Sequence, residues 1–456
     1  MGKNFVRVAL LIPPSERVKV VRTAYSPPLG LLSIGASIRR WSGSTDVSVF
    51  NGEIYPSEEP LLQEVREYAP DIIGISTNVG CYRFALHIAK RLKSQNNIVV
   101  LGGPYVSSMW QQCLMNRPYV DHCVVGDGEI PMTKLSSGFD PGSIPGFATR
   151  DNQGVPRLNP PNELPLDEYP DPDWSLLDAE IYRKVYRQIY NQPDAIFAPI
   201  NAMKGCRWQE KSGGCIFCAL LRAKLRKRSP ERVWGEINSL YEHYGCNHFW
   251  ELSDTIGCDM EWLRLFDLLK PQRDISFRGY LRSSEANQES VEILARLGYK
   301  EVFIGVESGD NDILKEANKG TTIALNKKAT IALNQAGIKT FASVVLGLPG
   351  ESEGSLQSTY DHVCDLFNNG LYTLSVCIFA PYVGSLAFRR LVSNAEYGNQ
   401  LKDKDVFDFP ALSKLWVKTQ CHCDWDAVME YSKRLGAIPS SLYEDNFTYV
   451  PRTYDI

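Results

Sequence analysis

The chain alternates short apolar runs with amphipathic runs over two separate stretches, and this alternation restricts the folds that it can adopt. In the first stretch, predicted strands lie at residues 6–12, 46–50, 72–76, 98–101 and 120–125. Predicted helices lie between them, at residues 29–41, 60–68 and 82–93. Strands that alternate with helices favour a doubly wound parallel sheet. Residues 1–138 are therefore predicted to form a Rossmann-like α/β domain.

The second alternating stretch covers residues 195–390. Predicted strands lie at residues 195–202, 248–252, 275–280, 301–306, 340–346 and 373–379. Predicted helices follow at residues 230–244, 260–269, 289–297, 324–336 and 354–368. This repeat predicts a partial (β/α)6 barrel of the TIM type, with functional groups at the carboxyl ends of its strands.

Two further segments lack this alternation. Residues 139–194 are rich in Pro, Gly, Asp and Asn, which predicts an extended linker between the two domains. Residues 391–456 are predicted to form a small C-terminal segment with one helix at 424–435. This segment is a candidate for substrate binding.

Charge and composition limit the partners of the chain. The formal net charge is −4 over 456 residues, which predicts no nucleic-acid-binding surface. No apolar run has the length of a membrane span, and the first residues do not resemble a secretory signal. We therefore expect a cytoplasmic protein with no membrane partner. Disulfides are not expected in such a chain, and most of its cysteines are interpreted as packing residues.

Three cysteines in a glycine-rich stretch predict a metal centre. Cys206, Cys215 and Cys218 follow the first predicted strand of the barrel. A closed structural zinc site needs four ligands, and a protein-held iron–sulfur cluster usually has four thiolates. Three thiolates around a four-iron cluster leave one iron open to another ligand. A scaffold site with Cys246, Cys258 or His248 as fourth ligand remains an alternative, and the Cys421-His422-Cys423 run remains open between packing and a metal or redox site.

Candidate binding residues lie in the cysteine loop and at the ends of predicted strands. In the barrel, the candidates are Phe217, Asp254, Arg278, Arg282, Glu307 and Ser343. In the first domain, they are Gly102, Gly103, Tyr105, Gly126 and Gly128. Ligands of doubly wound sheets bind at this edge, although ordinary strand-to-helix turns use the same glycines. No residue is assigned a catalytic role from the sequence.

These motifs together resemble those of a known enzyme family. Residues 26–35, 101–104, 126–129, 303–309 and 347–351, with the cysteine loop, are similar to the cobalamin-binding branch of the radical S-adenosylmethionine (SAM) enzymes. The long gap between Cys206 and Cys215 and the Lys319-Gly-Thr-Thr322 run resemble a subgroup that matures ribosomally made peptides, often as C-methyltransferases. That subgroup is normally longer at its C-terminus.

The resemblance implies three cofactors. The three cysteines would hold a 4Fe-4S cluster that cleaves SAM to a 5′-deoxyadenosyl radical, and cobalamin would supply a methyl group to an unactivated carbon. The barrel candidates would contact SAM, and the first-domain candidates would line cobalamin. No Asp-x-His run is present to ligate cobalt, so a Rossmann-like domain used only for packing or substrate contact remains an alternative.

The resemblance also implies the partners. The substrate would be a peptide or a small natural product, and the reductant a flavodoxin or ferredoxin. Cyclisation, epimerisation or other carbon-skeleton chemistry without methyl transfer is one alternative activity. A non-catalytic metal-binding scaffold is another.

Overall fold

The computed structural model describes residues 6–14, 26–43, 45–55, 57–190, 196–219 and 224–438. Within these ranges the chain forms two compact units. The first contains the described residues up to 190 together with residues 395–406, and the second contains residues 196–394 and 407–438. None of the helices in the described ranges combines the length and apolarity that a bilayer crossing requires.

The first unit is built around one seven-stranded sheet. Its strands are β1 (Val6–Ile12), β2 (Thr45–Asn51), β3 (Ile72–Ser76), β4 (Ile98–Gly102), β5 (His122–Val124), β6 (Phe147–Arg150) and β7 (Pro156–Leu158). Their order is β2-β1-β3-β4-β5-β6-β7, and the first five are parallel. The middle of β1 is buried on both faces, as is typical of a sheet covered on both sides. The predicted Rossmann-like fold is confirmed.

Helices of the first unit lie between these strands. They are α1 (Leu29–Trp41), α2 (Glu58–Tyr68), α3 (Tyr82–Leu92), α4 (Pro104–Asn116), α5 (Glu129–Ser136) and α6 (Ala179–Tyr190). The predicted helix at residues 29–41 has the same bounds as α1. Helices α4 and α5 were not predicted, because their glycine- and proline-containing starts were interpreted as turns.

The described part of the predicted linker, residues 139–190, differs from the extended segment that its composition predicts. Strands β6 and β7 add to the sheet in antiparallel pairing, and the side chain of Phe147 is fully buried. The Arg150 guanidinium donates to the carbonyl oxygens of Leu114 and Val120, at 2.6 and 2.8 Å. Pairing of β6 with β5, and of β7 with β6, satisfies backbone hydrogen-bonding groups of this segment. The local composition does not reveal this pairing.

The second unit contains a six-stranded parallel sheet and a short two-stranded ribbon. Its strands are β8 (Phe197–Ile200), β9 (Met203–Lys204), β10 (Arg226–Lys227), β11 (His248–Glu251), β12 (Ser276–Leu281), β13 (Tyr299–Glu307), β14 (Lys339–Leu346) and β15 (Thr373–Ile378). The large sheet runs in the order β15-β14-β13-β12-β11-β8, and β9 pairs with β10. Consecutive parallel strands joined by helices confirm the predicted partial barrel.

The remaining helices complete both units. They are α7 (Arg207–Ser212), α8 (Pro230–Tyr244), α9 (Met260–Leu268), α10 (Gln288–Leu297), α11 (Asn311–Glu316), α12 (Ile323–Gln335), α13 (Glu353–Asn368), α14 (Leu386–Val392), α15 (Gly398–Leu401), α16 (Phe409–Gln420) and α17 (Trp425–Gly436). Helix α15 belongs to the first unit. The C-terminal segment is therefore divided between the units, and residues 439–456 lie outside the described ranges.

Candidate functional site

The three cysteines lie in one loop after β8. Cys206 occupies the N-cap position of α7, and the Cys218 N–H donates to the Cys215 carbonyl at 3.0 Å. Gly205 has a φ of +96°, and a Cβ there would lie 2.5 Å from the Lys224 carbonyl oxygen. Only glycine fits this conformation and this approach. The turn at Gly205 therefore positions the first cysteine.

Cys215 is the buried cysteine of the loop, and two cations act on it. Burial raises the pKa of the Cys215 thiol, while the charges of Lys319 and Arg282 oppose that rise. The Ile216 N–H donates to the Ala317 carbonyl at 3.0 Å, which joins the loop to the chain just before Lys319. Cations beside a buried sulfur stabilise the thiolate form, which is the form that binds metals.

Lys319 forms a buried ion pair with Glu307 at the end of β13. The distance from Lys319 Nζ to Glu307 Oε1 is 2.6 Å, and the Ser343 hydroxyl donates to Glu307 Oε2 at 3.3 Å. Glu307 has a φ of +62°, a strained conformation for a residue with a side chain. A Cβ at Gly305 would overlap both Glu307 Oε1 and Lys319 Nζ. The ion pair therefore lies directly over the backbone of Gly305.

The long gap between the first two cysteines contributes a tryptophan to the same region. Trp208 in α7 donates from Nε1 to the Asn318 carbonyl at 2.7 Å. A Cβ at Gly320, whose φ is +67°, would lie 2.4 Å from the Trp208 ring. Arg282 stacks over that ring at 5.3 Å and donates to the Lys319 carbonyl. The gap residues thus hold the backbone on both sides of Lys319.

Phe217 and Asp254 complete the surroundings of the loop. The Lys319 ammonium lies 5.6 Å from the centroid of the Phe217 ring. Asp254 Oδ2 accepts a hydrogen bond of 3.1 Å from the Gly205 N–H, and burial raises the pKa of the Asp254 carboxyl. The observed partner of Asp254 is therefore the cysteine loop itself. Of the predicted barrel residues, the structure brings Phe217, Arg282, Glu307 and Ser343 together around Lys319.

Arg278 does not join this group, contrary to the expected strand-end position. It is the third residue of β12, and its guanidinium lies 4.0 Å from the centroid of the Trp250 ring. A carboxylate oxygen of Glu301 lies 4.0 Å from its Nη1. These contacts hold the Arg278 side chain within the sheet. Arg282, in contrast, follows the last residue of the strand. Spacing along the sequence does not distinguish these two arginines.

The chemistry of the three loop cysteines suits a cluster with one open iron, and of the three residues considered as a fourth ligand only Cys258 lies near the loop. His248 begins β11 and bonds Ser276 at 2.7 Å, so it lies at the opposite end of the sheet from the loop. Cys246 precedes the same strand. Cys258 lies 3.7 Å from Met203 Sδ and close enough to Cys206 for the two thiols to interact electrostatically, and burial raises the pKa of Cys258 to about 12. In the described part of the chain, no three His, Cys, Asp or Glu side chains are gathered closely enough to hold a metal ion, and this includes Cys206, Cys215 and Cys218.

In the first unit, the predicted glycines lie in the turns after β4 and β5. A Cβ at Gly103, whose φ is +91°, would lie 2.5 Å from the Thr77 carbonyl oxygen. A Cβ at Gly128 would lie 2.7 Å from Ile34 Cδ1, and the Gly126 N–H donates to Ser107 Oγ at 3.0 Å. Gly102 ends β4 with only ordinary contacts. Tight internal packing accounts for Gly103 and Gly128, and all four lie at the carboxyl edge where sheets of this type bind ligands.

Tyr105 differs from its predicted role of lining a cofactor. It is 3% exposed, its ring stacks on Tyr82 at 4.3 Å, and its hydroxyl donates to the Asp405 carbonyl at 2.9 Å. The Asp405 carboxylate accepts hydrogen bonds from Tyr82 and Arg117 at 2.8 to 2.9 Å. Tyr105 therefore anchors residues 395–406 within the first unit. Its distant partner could not be identified from the sequence around it.

Sequence reasoning missed the role of two residues in the barrel. In the sequence, Lys319 belongs to a Lys-Gly-Thr-Thr run and Trp208 lies in the long gap between Cys206 and Cys215, with no sign that the two regions meet. The only signal in the sequence was that an unusually long gap between two cysteines occurs in the same chain as the Lys319-Gly320 pair. Their contact, across more than a hundred residues of chain, depends on the tertiary fold.

Two family comparisons cover the two units separately. Residues 18–136 match the family described as the B12 binding domain. Residues 200–363 match the Radical SAM superfamily. The two matches correspond to the seven-stranded sheet and to the partial barrel.

Similar proteins are named for several different activities. An uncharacterized methyltransferase of Pyrococcus horikoshii is 26% identical, over 85% of this chain and 84% of its own length. Cytidylyl-2-hydroxyethylphosphonate methyltransferase of Streptomyces wedmorensis is 23% identical, over 86% and 82%. An anaerobic magnesium-protoporphyrin IX monomethyl ester cyclase of Cereibacter sphaeroides is 27% identical, over 76% and 58%.

Two solved structures share the fold. The radical SAM methyltransferase TsrM of Kitasatospora setae, solved with cobalamin and a 4Fe-4S cluster, matches with a TM-score of 0.67 and 16% identity, over 85% of this chain and 75% of TsrM. The cobalamin-dependent SAM radical enzyme OxsB, solved with aqua-cobalamin, matches with a TM-score of 0.66 and 19% identity. That match covers 87% of this chain and 56% of OxsB.

Proposed function

We propose that this chain, which combines a B12-binding domain with a radical SAM domain, is a cobalamin-dependent radical SAM methyltransferase that acts on a peptide or a small natural product. The observation that carries the proposal is the grouping of Cys215 with Lys319, Arg282 and Glu307 at the carboxyl end of a parallel sheet. A charged, partly buried group beside a metal-binding loop is typical of a functional site.

Each residue of this group has a proposed role. Cys206, Cys215 and Cys218 would hold the 4Fe-4S cluster, and Lys319 and Arg282 would offset its negative charge and that of a SAM carboxylate. Glu307 and Ser343 would accept and donate hydrogen bonds to SAM, and Phe217 would pack on its adenine. Asp254 would act through the loop, because its carboxylate holds the Gly205 N–H.

In the first unit, Gly102, Gly103, Gly126 and Gly128 would border the cobalamin at the sheet edge. When bound, the cluster with SAM would supply a 5′-deoxyadenosyl radical, and cobalamin a transferable methyl group. The protein would position these groups and exclude water from them. A flavodoxin or ferredoxin is the proposed electron donor. The methyltransferase names of two relatives support methyl transfer, and the cyclase name of a third supports the alternative of carbon-skeleton chemistry.

Anaerobic reconstitution tests the cluster. We expect about four irons per chain, as for one cubane cluster, and an electron paramagnetic resonance signal that SAM perturbs. Cys215→Ala should abolish that signal. Cys364→Ala is the matched control, because Cys364 is a partly exposed cysteine of α13 outside the loop. Equal signals from both variants would contradict the assignment.

Cobalamin and methyl transfer are tested separately. After incubation with hydroxocobalamin and desalting, the protein should retain the visible spectrum of cobalamin, and a colourless protein would contradict its binding. With reductant and a candidate substrate, methyl transfer should produce S-adenosylhomocysteine together with 5′-deoxyadenosine. Formation of 5′-deoxyadenosine alone would favour the alternative chemistry.

A further inference from the structure

Two buried side chains at and just after the end of β11 hold the chain that follows β8. Glu251, the last residue of β11, accepts hydrogen bonds at Oε1 from the Ala202 N–H at 3.0 Å and from the Ser253 N–H at 3.1 Å. The Ser253 hydroxyl donates to the same oxygen at 2.5 Å and accepts from the Met203 N–H at 2.8 Å. Glu251 and Ser253 are 1% and 0% exposed. One pair of side chains therefore binds two consecutive N–H groups that precede Cys206.

The loop after β11 also contacts the chain on both sides of Cys206. The Gly205 N–H donates to the Asp254 carboxylate at 3.1 Å. Arg207 Nη2 lies 3.0 Å from Asp259 Oδ2, and the Asp259 side chain is itself fixed as the N-cap of α9. This loop therefore binds the residue before the first cysteine and the residue after it.

Cys215 is held by a different part of the sheet. The Ile216 N–H donates to the Ala317 carbonyl at 3.0 Å, and the Asn318 side-chain amide donates to the Gly214 carbonyl at 2.7 Å. Both partners lie between α11 and α12, after β13, whereas the partners of the chain around the first cysteine follow β11. Helix α7 joins the two regions. A change in the loop after β11 should therefore displace the first cysteine without displacing the second.

The environment of Glu251 is unfavourable for a carboxyl group. Burial raises the pKa of this carboxyl to about 7, and its Oε2 accepts no hydrogen bond from any described residue. A buried polar atom without a partner costs free energy. The hydrogen bonds at Oε1 offset that cost, and within the described chain all of them come from Ala202 and Ser253. The contribution of Glu251 to the fold is therefore the fixed backbone that precedes the cysteine loop.

We propose that Glu251 is a positioning residue for Cys206, because it fixes the backbone at Ala202 and, through Ser253, at Met203. This role rests on the proposed function, in which Cys206 binds the 4Fe-4S cluster. The fixed backbone leads into the glycine turn that sets the direction of the Cys206 side chain. Residues that hold a metal ligand in place commonly change metal affinity by about 10–100-fold when they are replaced. Glu251 would act on the cluster in this indirect way.

Hydrogen exchange on the metal-free chain measures the backbone without the cluster. Glu251→Ala should accelerate exchange at the Ala202 and Met203 amides at least about tenfold, because the first loses its acceptor and the second is bound by a hydroxyl that is no longer fixed. The Ile216 amide, beside the second cysteine, should exchange at the unchanged rate. Glu251→Gln should restore slow exchange, since its amide oxygen accepts the same hydrogen bonds. Unchanged exchange at Ala202, or equal acceleration at Ile216, would overturn the proposal.

Iron release tests the effect on the cluster. After anaerobic reconstitution, Glu251→Ala should lose iron to the chelator EDTA roughly tenfold faster than the unchanged protein, and Glu251→Gln should approach the unchanged rate. Glu351→Ala is the matched control, because Glu351 is also a buried carboxyl that accepts two backbone N–H groups, but at a different turn. Equal release from the two alanine variants would reduce the effect to general destabilisation and overturn the positioning role.

The two measurements separate this role from the proposed function. If the unchanged protein binds no iron, the proposed function fails and Glu251 positions no cluster ligand, even where its replacement accelerates exchange. Accelerated exchange at Ala202 with unchanged iron release overturns only the positioning role. Accelerated exchange together with faster iron release, both reversed in Glu251→Gln, is the expected result.

Discussion

Lys319 Nζ lies 2.6 Å from Glu307 Oε1, and the two side chains are 11% and 6% exposed. Glu307 ends β13 in a left-handed backbone conformation, and Lys319 lies between α11 and α12. A buried ion pair costs desolvation energy, and breaking it leaves one charge unpaired. This pair therefore links the stability of the barrel edge to the proposed cofactor site.

We expect Lys319→Met to destabilise the second unit by about 3–5 kcal/mol, because Glu307 would remain buried without its partner. The double variant Lys319→Met with Glu307→Gln should recover most of that loss. Urea unfolding measures both changes. Lys315→Met is the matched control, since Lys315 is exposed on α11 and carries the same charge. A loss no greater than that of Lys315→Met would contradict the structural role of the pair.

Gly320→Ala tests the contact between Trp208 and the Lys319 loop. The added methyl group would overlap the Trp208 ring, so Lys319 and the Cys206–Cys215 gap should both be displaced. We expect SAM cleavage to fall at least about tenfold, a loss typical of misplaced binding groups. Gly337→Ala is the control, because Gly337 also has positive φ but has open space around it. Both variants carry about 1 kcal/mol of backbone strain, so only the difference in activity reports the contact.

Because the carboxyl of Glu351 is buried, we expect the free energy of unfolding to decrease as the pH rises. Burial raises the pKa of this carboxyl to about 7, from an ordinary 4.5, although the Gly347 and Leu348 N–H groups donate to it. Between pH 4.5 and 7 the unfolded chain releases the proton while the folded chain retains it, so the folded state loses up to about 3 kcal/mol.

Glu351→Gln should remove this part of the pH dependence, because the amide oxygen still accepts hydrogen bonds and does not titrate. Unfolding free energies at pH 5 and pH 8 measure the difference. Glu353→Gln, at an exposed position two residues later, should behave like the unchanged protein. The burial of Glu251 also raises its pKa to about 7, but this contribution is the same in all three proteins. A Glu351→Gln profile parallel to that of the unchanged protein would contradict the shift.

Asp405→Asn should release residues 395–406 from the first unit. The change removes the ion pair in which both carboxylate oxygens of Asp405, which is 3% exposed, bind the Arg117 guanidinium. We expect it to destabilise the attachment of residues 395–406 by about 2–3 kcal/mol. Trypsin cleavage after Lys402 and Lys404 should then accelerate more than about tenfold, since each 1.4 kcal/mol corresponds to a factor of ten. Asp403→Asn, at a neighbouring exposed position, should leave the cleavage rate unchanged.

Local signals account for much of the fold and part of the site. The predicted helix at residues 230–244 has the bounds of α8, because Ser229 and Pro230 are a cap and a first-turn residue, and the Ser229 side chain accepts from the Arg232 N–H. The same reasoning placed a strand end near Glu307, whereas Ser343, which was also expected at a strand end, lies within β14. It also identified the three-cysteine loop, whose short spacing is visible within one segment.

The partners within the site depended on the tertiary structure. The pairing of Lys319 with Glu307, the packing of Trp208 on Gly320, and the separation of Arg278 from Arg282 follow from strand register and from how loops meet at a sheet edge. The hydrogen bond of Tyr105 to Asp405, three hundred residues away, likewise could not be predicted from the sequence.

The sequence by itself determined the alternation of strands and helices in the two main domains, the cysteine loop and the resemblance that these motifs carry, but not α4, α5, β6 or β7. Periodicity, capping and turn chemistry act between near neighbours, so a linear pattern records them. The tertiary structure alone decided which charges are paired and which glycines are required. Those relationships depend on distances between residues that are remote in the chain, and only packing brings them together.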